Sequence, residues 1–510
     1  MSATALDQSR PERSAISLAE KPARFPSSRL APLLLTPLVL LIHGYHPFAG
    51  DAGIYVAGVR HILDLSLYPL NAVFPAAFTR LSVLPWTLAA LVRLSHLPLD
   101  WILFAAHLVS ILLFLAACLQ VAARIFPDEP ARWSAVFLAA VCFTLPVAGT
   151  ALFVMDPYVT ARSFSTSLSL MAGAACLDRA WVRTILFLAI AALVHPLMAA
   201  FTIAFVLLYA LIASGRRLSL ALCGAAIAVS AAAFFLTRRA AISPAYRQAI
   251  ALPPRSFLFL ARWHWYEVLG VVAPLLLFAL ALRKLGPASR TGALCLACLL
   301  LGTTSLLIAA LFVPPAGPYL LVPLQILRCF HLIYVLGIVL CAGVFATPAA
   351  RSRLAAAFLL ALLFAGMLAA QRAAWPGSAH VEWPGSRPAN PWQQAFQWIR
   401  DHTPRDAVFT FNPDLVYLPE ENEQGFRAIA QRDHLADDKD AGIVAVQPQL
   451  ADRWALQRNT EQDVDRMTDS QRIAALKPLG ATWLLLPPNA ATELPCPYSN
   501  AVVRICRMAR

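Results

Sequence analysis

A chain of 510 residues that is 59% hydrophobic and only 14% charged, with a mean hydropathy of +0.64, is not a soluble protein; it reads as a polytopic α-helical membrane protein. Its formal charge of +13 is unevenly placed: the first 375 residues hold 27 basic and 11 acidic side chains, the last 135 hold 14 and 17, so the basic pI belongs to the apolar part. That placement argues for orientation in an anionic bilayer or for anionic substrates, and without a Lys/Arg-rich run it excludes nucleic acid as a partner.

Residues 1–29 are polar and carry Arg10, Arg13, Lys21, Arg24 and Arg29 ahead of the first apolar run, as expected of a cytoplasmic tail. Leu30 to Ile42, with no small-residue cleavage site after it, is expected to be an uncleaved anchor. A crossing needs roughly 20 apolar residues. A transmembrane domain over 30–372 is therefore expected, with further spans near 101–122, 134–155, 158–177, 218–236, 265–282, 291–313, 324–346 and 354–371. Phe78 to Leu94, broken by Arg80, Pro85 and Arg93, is expected to lie in the interface, leaving a long first outer loop over 46–100. Val182 to Ser214 is interrupted at His195-Pro196 and is expected to form two short helices. The total is about 11 spans with the N-terminus inside and the C-terminus outside, which gives every inner loop at least two basic residues.

A Pro/Gly/Trp-rich linker at 373–391 introduces a soluble composition. Within 392–510, Trp392 to Asp401, Ala451 to Arg458 and Ser470 to Leu476 are helix-like, whereas Ala407 to Phe411 and Thr482 to Leu486 are strand-like, the signature of a small α/β domain. Cys496 and Cys506 flank the strand-like Ala501 to Ile505, and an oxidising compartment would join them. The other eight cysteines lie in apolar helices, where packing accounts for them; Cys295-Leu-Ala-Cys298 has no partner pair and is assigned no metal.

Charge in or beside a bilayer needs a reason. Outside the tail and the inner loops, the acidic residues before Trp375 are Asp51, Asp64, Asp100, Asp156 and Glu267, all at the expected outer face. Asp51 directly follows the first span and either caps the next helix or, with Tyr55 one turn away, acts as a general base. Asp156 opens Asp-Pro-Tyr-Val-Thr-Ala-Arg-Ser; it is a cap or, with Tyr158, Thr160, Arg162 and Ser163, part of a two-carboxylate site that shares a base with a substrate-orienting or metal-holding group. Gln325, Arg328 and His331 share a three-residue spacing, and Arg328 either snorkels to headgroups or grips a phosphate. Arg255, Arg262 and His264 stand among aromatics, as an interfacial belt or as the cations that an anionic lipid-linked substrate would meet. His195 either caps its turn or joins the site.

These features resemble the GT-C superfamily of membrane glycosyltransferases. The likeness lies in Asp51-Ala-Gly-Ile-Tyr55 after span one, the long first outer loop, Asp156 in the second outer loop, and the soluble domain opening Trp398-Ile-Arg-Asp-His-Thr-Pro404. It implies a sugar carried on a polyprenyl phosphate or diphosphate, with Asp51 as base, Asp156 as auxiliary carboxylate and Arg328 as phosphate ligand. For a bacterial member it implies an inner-membrane location with the last domain in the periplasm. Many members carry a second acidic residue where Gly50 precedes Asp51 here, so a divalent cation as cofactor is left open. No WWDxG-type run is present, which disfavours oligosaccharyltransferase activity. The rival readings are a transporter or flippase for a lipid-linked saccharide, which should show charged or broken helices at the midplane, and a non-catalytic assembly protein, which would leave the candidate residues dispersed.

Overall fold

The computed structural model describes residues 27–214, 243–317, 319, 321–345, 353–417 and 425–508. The span expected near 218–236 lies outside the described residues. From the N-terminal side, α1 (Ala31–His43) leads into a segment carrying three short helices, α2 (Ala52–Leu63), α3 (Val73–Thr79) and α4 (Leu84–Ser95). The bundle continues through α5 (Leu99–Ile125), α6 (Glu129–Val141), α7 (Ala161–Leu177), α8 (Trp181–Val194) and α9 (Pro196–Ser214). After α10 (Pro244–Ala251) come α11 (Trp265–Leu285), α12 (Arg290–Phe312), α13 (Phe330–Phe345) and α14 (Arg353–Ala374).

Among the described residues, five helices are long and apolar enough to cross a membrane: Leu99–Ile125, Pro196–Ser214, Trp265–Leu285, Arg290–Phe312 and Val322–Gly343. The pair α3 and α4 would make a sixth, but it is bent by 94°. The bundle also turns apolar side chains outward, Val182, Leu280, Leu311 and Phe358 among them. Water would penalise that surface and a bilayer does not. The chain is built as a multi-pass membrane protein.

One expected span is corrected. Residues 134–155 are not a single helix: α6 stops at Val141, and Pro146 and Gly149 (φ +68°) turn the chain into an antiparallel hairpin of β1 (Pro146–Val147) and β2 (Leu152–Phe153). The chain then loops past Asp156 to Thr160, whose hydroxyl and backbone form a capping box with Ser163 at the start of α7. Behind that cap, α7 buries Ser165, Ser167, Ser169, Gly173 and Ala174, and this run of small residues lets α5, α8 and α9 pack closely against it.

The C-terminal part folds as a mixed sheet with helices. In chain order it contains α15 (Pro391–His402), β3 (Val408–Thr410), α16 (Phe426–Ala430), β4 (Asp433–His434), α17 (Ala441–Val444), α18 (Ala451–Glu461), α19 (Asp469–Leu476), β5 (Trp483–Leu486), β6 (Tyr498–Ser499) and β7 (Arg504–Arg507). The strand order is β4-β3-β5-β7-β6, parallel from β4 to β5 and antiparallel thereafter. The central strand Trp-Leu-Leu-Leu is buried along its whole length, as a strand covered on both faces must be. The last strand begins three residues later than the sequence suggests, because the Asn500 side chain accepts the Val502 and Val503 N–H groups and holds 500–503 as a turn. A disulfide joins Cys496 to Cys506.

This domain is seated on the segment between α1 and α5. The Asp433 carboxylate accepts the backbone N–H of both Leu70 and Asn71 at 2.7 Å, and the Tyr68 hydroxyl donates to the Arg427 carbonyl at 2.7 Å. Ala428 packs with Val56 and Val59 of α2. Tyr45 pairs with Val381, and His46 meets Glu382 at 2.8 Å, so the linker is pinned to the end of α1 as well.

Candidate active site

Asp51 occupies the N-cap position of α2 but does not cap it. Its Oδ2 accepts from Arg162 Nη1 at 2.8 Å, and its Oδ1 accepts from Lys439 Nζ at 2.8 Å. The second nitrogen of the same guanidinium donates to Asp156 Oδ2 at 3.0 Å, and the Thr160 hydroxyl donates to that oxygen at 3.1 Å. Capping of α7 is left to Thr160, so neither aspartate serves as the cap that its position suggested. Arg162, in the first turn of α7, ties together two acidic loops that are 105 residues apart in sequence.

The two carboxyls are driven in opposite directions. Burial raises the pKa of Asp51, but the Lys439 ammonium and the Arg162 guanidinium outweigh it and hold the carboxyl well below the usual carboxylate range. Asp156 lies deeper, and burial pushes its carboxyl up against the pull of Arg162. The Tyr55 hydroxyl, also raised by burial, is pushed up to about 12 and so stays protonated at physiological pH.

These groups open onto a cavity of about 350 Å³. Asp51, Tyr55, Arg162, His195, Arg255, Arg328 and Lys439 line it, and Phe78, Leu81, Val194, Leu197, Phe257 and Leu258 supply an apolar wall. Counting Asp156 behind Arg162, four cations face two carboxylates. Arg328 stacks its guanidinium 4.8 Å over the Phe257 ring, and its buried Nε meets no hydrogen-bond acceptor; the buried Gln325 Oε1 likewise lacks a donor. Arg255 is anchored by the Asp438 carbonyl at 2.9 Å. His195 is the single extended residue between α8 and α9, and its Nδ1 accepts the Met198 N–H at 3.5 Å.

The structure therefore brings Asp51, Tyr55, Asp156, Arg162, His195, Arg255 and Arg328 together and sets Tyr158, Arg262, His264 and His331 apart. Tyr158 is buried with its hydroxyl against Gly50. His331 is not on a common helical face with Arg328, because Gln325 is left-handed, 326–329 form a 3-10 turn and α13 starts only at Phe330; the His331 ring turns away to the Val154 carbonyl at 2.9 Å. Arg262 reaches the Ala251 carbonyl and lies over Phe259. His264 shares a capping box with Glu267 at the head of α11 and stacks on Tyr266. Arg262 and His264 are spent on local structure.

Sequence reasoning missed Lys439. Only four lysines occur among the 41 basic residues, and this one stands alone in a dense acidic run, Asp437-Asp438-Lys439-Asp440. That isolation was the available signal. The run is held from below by Arg427, which donates to both Asp440 oxygens at 2.9 and 3.0 Å. Burial, and then repulsion from Asp440, pushes the Asp437 carboxyl up to about 7 against the opposing charge of Arg427. The folded chain thus binds this proton more tightly than the unfolded one. Stability should fall as pH rises from the ordinary aspartate range near ~3.9 through about 7, and level off above. Asp437→Asn, which keeps the oxygen that accepts the Asp440 N–H at 2.8 Å, should flatten this slope. Melting followed by tryptophan fluorescence should give a higher Tm than wild type at pH 8 and little difference at pH 4; parallel curves would contradict the assignment.

A pair of loop carboxylates is a donor set that a divalent cation could use. Such an ion needs several oxygens at roughly 2.0–2.6 Å. Both oxygens of Asp51 and one of Asp156 are already taken by cationic nitrogens, and no cluster of three or more His, Cys, Asp or Glu residues suited to a metal occurs among the described residues. Position 50 cannot restore a second carboxylate, because Gly50 has φ +53° and a Cβ there would collide with the Tyr158 hydroxyl. The residues present do not fit a divalent metal.

Residues 390–451, which include Arg427 and Lys439, match a family described as a domain of unknown function (DUF6798). No curated protein matches the chain. Among solved structures, it is similar to the archaeal oligosaccharyltransferase AglB from Archaeoglobus fulgidus in complex with an inhibitory peptide and a dolichol-phosphate (TM-score 0.49, 12% identity, 90% of this chain and 69% of that one). The Archaeoglobus fulgidus oligosaccharyltransferase tethered to an acceptor peptide gives 0.49, 11%, 90% and 68%, and the apo form gives 0.47, 11%, 90% and 69%.

Proposed function

We propose that this chain is a membrane glycosyltransferase of the GT-C type. It moves a sugar from a polyprenyl-phosphate-linked donor to an acceptor at the periplasmic face of the bacterial inner membrane. The observation that carries the reading is the meeting of Asp51, Arg162, Arg255, Arg328 and Lys439 on one cavity whose remaining wall is mostly apolar. A ligand with an anionic head and a hydrocarbon tail matches both halves of that lining. The excess of positive charge suits a phosphate, and Arg328, with an unsatisfied donor, is its first ligand.

In this reading the acceptor hydroxyl attacks the anomeric carbon, the carbon–oxygen bond to phosphate breaks, and its electron pair leaves on the phosphate oxygen. The acceptor's proton passes to Asp51. At rest Asp51 is a weak base, since both its oxygens are paired. Arrival of the donor gives Lys439 a second anion to bind, and the Oδ1 it releases becomes the proton acceptor. Arg162, Arg255, Arg328 and Lys439 stabilise the charge that develops on the departing phosphate.

The test is binding of an isoprenoid phosphate to the full chain in lipid nanodiscs. Losing a charge-assisted hydrogen bond costs about 1.5–3 kcal/mol. Arg328→Ala should therefore raise Kd by about ten- to a hundredfold, with unchanged membrane level and with Arg328→Lys in between. Unchanged affinity in the Ala variant would remove the phosphate role, and binding lost only in step with expression would assign Arg328 to folding.

A further inference from the structure

We propose that Arg162 and Lys439 together are a built-in dication that takes the place of a metal ion between the two loop carboxylates, so that chemistry at this cavity needs no divalent cation. The role in catalysis rests on the glycosyl-transfer reading above, whereas the exclusion of metal rests on geometry alone. Arg162 Nη1 and Nη2 bridge Asp51 and Asp156 at 2.8 and 3.0 Å, and Lys439 Nζ closes the remaining oxygen of Asp51 at 2.8 Å. An ion bound at metal distances from those oxygens would lie against the guanidinium and the ammonium, two like charges it would have to displace.

The two cations are held differently. The Arg162 side chain is 7% exposed and is fixed by its place in the first turn of α7. Lys439 is 21% exposed and comes from the C-terminal domain, on a loop anchored through Arg427, Asp440 and the Asp438 carbonyl contact with Arg255. The fixed cation bridges the two carboxylates. The more exposed one can turn to an arriving anion, which makes the C-terminal domain a contributor of charge to the site and not only a cover for it. The Tyr158 hydroxyl also fills the space that a side chain at position 50 would need, so no further carboxylate can join the pair from that side.

The experiment uses the purified full chain in nanodiscs and Mn²⁺ alone, with bound ion counted by electron paramagnetic resonance. The wild type is expected to show no Mn²⁺ site that Asp51→Asn removes. Lys439→Gln, which leaves the Arg162 bridge intact, should gain a site with a dissociation constant on the order of a millimolar. The double variant R162Q/K439Q should bind at least tenfold more tightly than K439Q, and Mn²⁺ should raise its Tm. Adding Asp51→Asn should abolish both gains, and Lys439→Arg should gain nothing. A single Mn²⁺ on the wild type that disappears in Asp51→Asn overturns the proposal, as does a K439Q chain that gains no site. No donor or acceptor sugar enters the measurement, so its outcome is independent of whether the chain transfers sugars.

Discussion

Asp51→Asn is expected to lower sugar transfer by about 10²–10⁴-fold, the range for loss of a general base, while the chain still folds and reaches the membrane. The substitution is close to isosteric, and Arg162 keeps Asp156 as its buried counterion at 3.0 Å. The charge partner lost is that of Lys439, which is partly exposed and can be solvated. Turnover with a panel of isoprenoid-linked sugars, measured beside size-exclusion profiles, separates the two consequences. Undiminished turnover would end the assignment of Asp51 as base, and an aggregated variant would make the aspartate a structural link between α2 and the C-terminal domain. Because Asp51 is held well below the usual carboxylate range, the wild-type rate should show no acid limb from this group near neutral pH.

The larger effect on folding is expected at Arg162. Arg162→Ala removes the only ion-pair partner of Asp156 among the described residues, where Asp156 is 4% exposed, and leaves Asp51 with Lys439. Breaking a buried pair from one side costs about 3–5 kcal/mol, enough to lower the yield of folded chain markedly. Removing both charges is the informative control. Arg162→Met with Asp156→Asn leaves no buried unpaired ion and should recover most of the Tm lost in the single variant. Equal damage in the single and double variants would show that packing around the side chain, and not charge pairing, sets the cost.

Much of the site was legible because charge is scarce in this part of the chain. With only 11 acidic residues before Trp375, each could be weighed, and Asp51 and Asp156 stood out by position. Arg328 was legible for the same reason. Arg262, His264 and His331 were drawn in by the same rule, yet the protein itself supplies partners: the Ala251 carbonyl for Arg262, the Glu267 carboxylate for the His264 backbone N–H and the Val154 carbonyl for His331. Residue type and spacing do not reveal whether a polar atom finds a partner within the protein or must seek a ligand.

Hydropathy and run length by themselves determined that this is a helical membrane protein with a C-terminal sheet-containing part, because burial in lipid and backbone hydrogen bonding are decided segment by segment. Local chemistry likewise marked Asp51 and Arg328 as costly residues in need of a reason. Only the tertiary structure decided that one guanidinium joins both aspartates and that a lysine 388 residues from Asp51 completes the cluster. Those pairings depend on how the C-terminal domain seats on the segment between α1 and α5. That seating is fixed by Asp433, Tyr68 and Ala428 acting across the whole chain, where no local pattern can register it.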